Sequence, residues 1–278
     1  MRWIIRDIFL LALNVLQSIL VALARLLGIV RFPVPPSSLM RKTSSRNIFH
    51  YYRSGLTTYL PIVTLARLYG VKMDATTNVL DFGCGVGRQL LHIVTDYPNV
   101  HYYACDVDET EVKFIQKNYP WVKAYTNNFN PPLEYESESM DLIYSISTFS
   151  HFDRASQELW LRELLRVAKR GALCLLTTEG WRAFNMLRSA FAGEIDPAEH
   201  LKTAGILYKE YSHLTSGQKH KHISPLLNSY HGIGGSYGNT VMTAEFIKEN
   251  WPKSGFEVLG ISEGVIDSRQ DVVVLRRP

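Results

Sequence analysis

Val79-Leu80-Asp81-Phe82-Gly83-Cys84-Gly85-Val86-Gly87-Arg88 decides how the chain is read. An apolar run over residues 78–82 has strand character, three glycines spaced by two follow it, and a helical pattern begins at Arg88. Glycines at such a turn admit backbone angles and a close ligand approach that other residues resist. In open parallel sheets, ligands bind at this edge, beyond the carboxyl ends of the strands. The loop is not a dinucleotide fingerprint, because the third glycine of Gly83-x-Gly85-x-Gly87 comes one residue early. It is not a phosphate loop either, since no Lys-Ser or Lys-Thr pair follows the glycines. Asp81, just ahead of them, would repel a pyrophosphate and suits a cationic or amino-acid-bearing ligand. Asp106 closes the next apolar run, where an acid can accept both hydroxyls of a ribose.

Outward from the loop, short apolar runs alternate with amphipathic stretches. Strands are expected at 100–106, 122–126, 141–147 and 172–178, and helices at 48–69, 88–97, 109–118 and 157–169, with Pro61 near a helix start or at a kink. This alternation predicts an α/β fold with a parallel sheet and helices on both faces. After a helix at 243–251, strands at 256–265 and 271–276 are joined by a turn at Asp267-Ser268, so that last pair must be antiparallel. Three cysteines, Cys84, Cys105 and Cys174, show none of the short spacings a zinc site needs, no acid-rich metal cluster stands out, and a reducing compartment is expected.

With these residues quoted, the chain resembles the class I S-adenosylmethionine-dependent methyltransferase family. The Asp81-to-Arg88 loop is similar to that family's first motif. Asp106, the Asp141-to-Ser147 strand followed by Ser150-His151-Phe152, and the closing hairpin follow its order. The resemblance covers roughly residues 75–180 and 243–278. It implies a Rossmann-like, seven-stranded, mostly parallel sheet whose antiparallel last strand inserts between the fifth and the sixth, and S-adenosyl-L-methionine as cofactor. It also implies that Gly83, Cys84, Gly85 and Gly87 line the methionine part and that Asp81 sits near its amino group. Asp106 would hold the ribose, Val107 would lie against the adenine, Asn128 and Phe129 would contact the adenine, and Ser145 and Ile146 would lie under the cofactor. Blander readings stand beside these: a loop-stabilising acid for Asp81, a helix N-cap for Asp106, a plain turn for Asn128-Phe129.

A sulfonium methyl is already electrophilic, so the protein has mainly to align a nucleophile behind it in a water-poor pocket. A hydroxyl acceptor also benefits from a positioned base. His151, after the fourth strand, is the first candidate, against a capping or packing role. Glu179, past the fifth strand, is the second, against a surface loop acid. Residues 180–240 are too long for a plain connection and are expected to form a part-helical lid over the substrate. That insertion carries Trp181, Phe184, Tyr208, Tyr211, His213 and the third candidate, His231 after Tyr230, beside glycines 232, 234, 235 and 238. His220-Lys221-His222 reads as a solvated loop rather than a metal site, and no metal is assigned.

Residues 1–53 hold eight basic residues (Arg2, Arg6, Arg25, Arg31, Arg41, Lys42, Arg46 and Arg53) against one acid, Asp7. That is a net of +7 and leaves −3 for the remainder of a chain whose total is +4. No charge interrupts residues 8–24. At 100° per residue, Arg2, Arg6, Asp7, Asn14, Gln17, Ser18, Arg25 and Arg31 fall on one half of a helical wheel, which fits an N-terminal hydrophobic helix (residues 1–30) lying in a membrane surface. A transmembrane span, a helix packed on its own domain or on a partner, and a signal peptide cleaved after Ala22-x-Ala24 are the other readings. If it spans, the basic residues that follow put the body in the cytoplasm. Residues 31–45, with Pro33, Pro35 and Pro36, read as a linker, and residues 46–278 as the methyltransferase domain. The acidic body shows no basic stripe for nucleic acid, and the basic terminus suits anionic lipid.

The expectation is therefore a cytoplasmic, membrane-associated S-adenosylmethionine-dependent methyltransferase acting on a hydroxyl of a small molecule, sugar or lipid-linked acceptor. An N-methyltransferase on a small molecule or protein side chain is one alternative, and an inactive cofactor-binding, membrane-anchored module is another.

Overall fold

The computed structural model describes residues 19–20, 23, 26–27, 32–43, 45, 47–191, 196–210 and 237–278. The chain divides into two compact units between Val34 and Pro35. In the first, Ile19, Leu20, Leu23 and Leu26 are helical and expose their side chains. Asn14, Gln17, Ser18 and the basic residues of the polar stripe lie outside the described residues. No helix among the described residues is long and apolar enough to cross a membrane.

The second unit is built on a seven-stranded sheet. Its parallel strands are β1 (Asn78–Phe82), β2 (His101–Asp106), β3 (Lys123–Thr126), β4 (Met140–Ser145) and β5 (Ala168–Glu179). Strands β8 (Glu257–Ile266) and β9 (Gln270–Arg276) complete it in the order β3-β2-β1-β4-β5-β9-β8. β9 is antiparallel to both β5 and β8, as the resemblance implies. The strands are near-continuous apolar runs because both faces are covered. On one face Leu80, Phe82, Ile143, Cys174 and Leu176 pack with Trp160 and Leu164 of helix α5 (Arg154–Val167). On the other, Val79, Ala104, Leu142 and Leu175 pack with Tyr59, Ile62 and Ala66 of helix α2 (Ile48–Leu68).

Three local features differ from the sequence expectation. Within the expected linker, Ser37–Lys42 forms a short helix, α1, that starts directly after Pro36 and buries Met40. Proline is compatible with a helix start and hostile to its interior, so the prolines mark where α1 begins. Pro61 lies inside α2 rather than at its start. The 180–240 insertion holds helices α6 (Trp181–Leu187) and α7 (Pro197–Ala204), as expected of a part-helical segment, and also an antiparallel pair, β6 (Ile206–Glu210) with β7 (Gly238–Met242). These elements share a small core of Phe184, Phe191, Leu201, Leu207 and Val241. Further α-helices of this unit among the described residues are α3 (Leu90–Asp96), α4 (Glu109–Asn118) and α8 (Ala244–Asn250).

Candidate functional site

The glycine loop is fastened to the carboxyl edge of the sheet. The Gly83 and Cys84 N–H groups both donate to the Cys105 carbonyl at the end of β2, at 2.9 and 3.0 Å. Gly83 has φ +78°, and a Cβ there would run into the Thr148 hydroxyl. Gly85 has φ +51°, and a Cβ there would lie 2.9 Å from Thr43 Cγ2. Both positions therefore demand glycine. Asp106 holds the loop from below: Gly85 N–H donates to its Oδ2 at 2.8 Å and Asp108 N–H to its Oδ1 at 2.9 Å. Helix α4 is capped by Asp108, which accepts from the Thr110 and Glu111 N–H groups, so Asp106 is not the cap. Each Asp106 oxygen retains a lone pair for a further donor. Burial raises the Asp106 carboxyl, and the N–H groups of Asp108 and Gly85 pull it back.

Several polar groups along this edge are buried with nothing to bond. Asp81 is 2% exposed, and its Oδ2 has no hydrogen-bond partner. Burial pushes it up to about 7; the Tyr144 hydroxyl beside it works in the opposite direction, and the Asp106 charge adds to the rise. The Ser145 hydroxyl at the end of β4 is buried without a partner, next to the buried Ile146. After β3, Asn128 is exposed, and Phe129 packs edge-on against Phe152 with ring centroids 5.9 Å apart. The buried side chain of that turn is Asn127. It donates from Nδ2 to the Asn128 carbonyl at 2.7 Å, while its Oδ1 has no partner. Val107 is half-buried.

Two residues from the N-terminal side of the unit close over the loop. The Tyr51 hydroxyl of α2 donates to the Val86 carbonyl at 3.0 Å. Lys42, at the end of α1, bonds the Asp108 carboxylate and, at 3.0 Å, Thr110 Oγ1. Burial pushes Asp108 upward, but Lys42 and Thr110 outweigh it and hold the carboxyl below its ordinary value. Lys42→Ala is expected to lower stability by about 1–2 kcal/mol at pH 7, because the half-buried Asp108 loses its Lys42 ion pair. A depressed carboxylate stabilises above its unfolded value, near 4, and loses that contribution as pH falls. Thermal unfolding at pH 7 and pH 3 should therefore show the variant and the parent converging in acid.

His151 ends a 3₁₀ turn, Phe149–His151, that follows β4. Its Nδ1 lies 2.9 Å from the Gly238 carbonyl, which can only accept, so Nδ1 carries the proton and Nε2 is the basic nitrogen. Burial lowers His151 to about 4, and the Arg269 charge acts in the same direction. The imidazole is neutral at physiological pH. It caps no helix, since Asp153 is the N-cap of α5. Its ring lies 5.0 Å from that of Tyr237. Glu179 ends β5 and is buried rather than a surface acid. It pairs with Arg269 at 2.9 Å; burial raises its carboxyl and Arg269 opposes the rise. His231, Tyr230, His213 and His220-Lys221-His222 lie outside the described residues.

Sequence reasoning missed Asn127, Lys42, Ser147 and Glu111. Ser147, between β4 and the 3₁₀ turn, has φ 61°, with its N–H donating to Thr177 Oγ1 at 2.7 Å and its hydroxyl bonded to Gln270. Such angles in non-glycine residues concentrate at functional sites. Glu111 had a legible signal: it shares the buried face of α4 with Val112 and Ile115, where an acid is out of place.

A family profile described as "Methyltransferase domain" matches residues 79–171. The chain is 26% identical over 122 residues to the human tRNA N(3)-cytidine methyltransferase METTL6, covering 41% of this chain and 43% of that protein. It is 29% identical over 131 residues to a malonyl-[acyl-carrier protein] O-methyltransferase of Dechloromonas aromatica, covering 47% of each. The matches thus span less than half the length of these curated relatives. Among solved structures, a SAM-dependent methyltransferase from Aquifex aeolicus shares the fold, with a TM-score of 0.50 at 17% identity over 81% of this chain and 93% of that one.

Proposed function

Because the chain belongs to the class I S-adenosylmethionine-dependent methyltransferases, we propose that it methylates a hydroxyl of a small molecule, sugar or lipid-linked acceptor, working at a membrane surface. The residues present fit the cofactor. Asp81, Asn127 and Glu111 each bury an oxygen without a partner, and the loop they surround is cradled by glycines that a Cβ would crowd. An acidic rim suits a ligand carrying a sulfonium and an ammonium group. The cofactor supplies an electrophilic methyl group. Gly83, Cys84, Gly85 and Gly87 would present backbone to it, Asp106 would accept its hydroxyls, and Ser145 and Ile146 would lie under it.

His151 carries the preference for a hydroxyl. An imidazole with its Nδ1 proton committed to the Gly238 carbonyl has Nε2 as its basic nitrogen, and a hydroxyl acceptor must shed a proton that a neutral aromatic nitrogen need not. The two curated relatives carry nitrogen and oxygen targets in their names. The net charge of −3 outside residues 1–53 speaks for a small or lipid-linked acceptor over a nucleic acid. The exposed leucines at 20, 23 and 26 support a lipid-facing first unit.

Calorimetry should show S-adenosylmethionine binding, weakened roughly ten- to a hundredfold in Asp106→Ala. Unchanged affinity in that variant would remove Asp106 from the ribose. Transfer of labelled methyl should then appear on hydroxyl-bearing acceptors. Transfer to amines alone overturns the hydroxyl reading.

A further inference from the structure

Glu111 is 5% exposed, in the first turn of α4, and its Oε1 has no hydrogen-bond partner. Its other oxygen, Oε2, lies 3.6 Å from where a Cβ on Gly85 would stand, so the carboxyl is aimed into the glycine cradle. The groups around it are accounted for. Asp106 accepts the Gly85 and Asp108 N–H groups, one on each oxygen, and Lys42 is bonded to Asp108 and Thr110. The Arg88 guanidinium donates to Ser54 Oγ at 3.3 Å. Among the described residues, neither cation lies within ion-pairing distance of Glu111.

A buried carboxyl left unbonded costs stability. An apolar residue of similar size would fill the same place on the α4 face without that cost. The position is therefore explained by something that Glu111 bonds when the cradle is filled. We propose that Glu111 is a cofactor-binding residue, hydrogen-bonding a polar group of S-adenosylmethionine held between the Gly85 loop and Asp106. This rests on the cofactor reading above and adds a residue to it.

A binding residue of this kind has a signature that a packing residue lacks: its removal weakens the ligand and strengthens the empty protein. The full chain is compared with Glu111→Leu and Glu111→Gln, reading the affinity for S-adenosylmethionine and S-adenosylhomocysteine by calorimetry and the unfolding temperature without ligand. Glu111→Leu should bind both ligands about tenfold or more weakly, while its ligand-free unfolding temperature equals or exceeds that of the parent. Glu111→Gln, which keeps shape and hydrogen-bonding capacity, should lie between the two in affinity. Parental affinity in Glu111→Leu overturns the proposal. A fall in both affinity and unfolding temperature in Glu111→Leu and Glu111→Gln alike also overturns it, because Glu111 would then be a structural residue. If the parent itself binds neither ligand, the cofactor reading fails, which is a separate outcome from a parent that binds and a variant that binds equally well.

Discussion

His151→Ala is expected to lower turnover by roughly 10²–10⁴-fold, the range for loss of a positioned general base, while leaving S-adenosylmethionine affinity within a factor of about two. The split follows from where the ring sits. It is held by the Gly238 carbonyl of β7, whereas the glycine loop is held by the Cys105 carbonyl and Asp106. The pH profile gives a second readout. Burial holds His151 near 4, well below the ordinary histidine value near 6.5. The base is lost on protonation, so the rate should stay level through neutral pH and fall only as pH drops toward about 4. An acid limb near 6.5 would place the base on an ordinary, solvated histidine. Full turnover in His151→Ala would shift the role to His231 or Glu179, of which Glu179 is already paired with Arg269.

The second large effect concerns a methyl group. Gly83→Ala places a Cβ against the Thr148 hydroxyl at a residue with φ +78°. Neighbouring structure leaves little room to yield, because the Gly83 and Cys84 N–H groups share the Cys105 carbonyl. The backbone angle alone costs of order 1–3 kcal/mol, and the clash adds to it. About 3 kcal/mol of lost stability and loss of measurable cofactor binding at millimolar ligand are expected from thermal unfolding and calorimetry. The double variant Gly83→Ala/Thr148→Ala removes the clash and keeps the angle, so it should recover part of the stability. Parental behaviour in the single variant would mean that the loop relaxes without cost.

What was legible before the fold was known divides along physical lines. The strand-glycine-helix turn, Asp106 at the next strand end and the antiparallel closing hairpin are local patterns, and each fell where the sequence put it. Side-chain partners are not local. Asp106 read equally well as a helix cap until Asp108 was found to cap α4 and Asp106 to hold Gly85. Asn128 and Asn127 are adjacent and chemically identical, and only the turn after β3 decides that Asn127 is the buried one. Lys42 bonds Asp108 across 66 residues, a pairing that no periodicity announces. The β6–β7 pair escaped notice because residues 211–236 separate its strands, and hairpins are recognised by short turns.

The position of β9 has a consequence for the order of assembly. It pairs with β5 on one side and β8 on the other, yet it follows every other strand in the chain. During synthesis from the N-terminus, β1 to β5 can align while the β5 edge, residues 168–179, stays open. An open apolar edge is a template for pairing with another chain. The nascent protein therefore passes through a stage in which a strand that ends up inside the sheet is an adhesive edge, and only the emergence of residues 270–276 ends it.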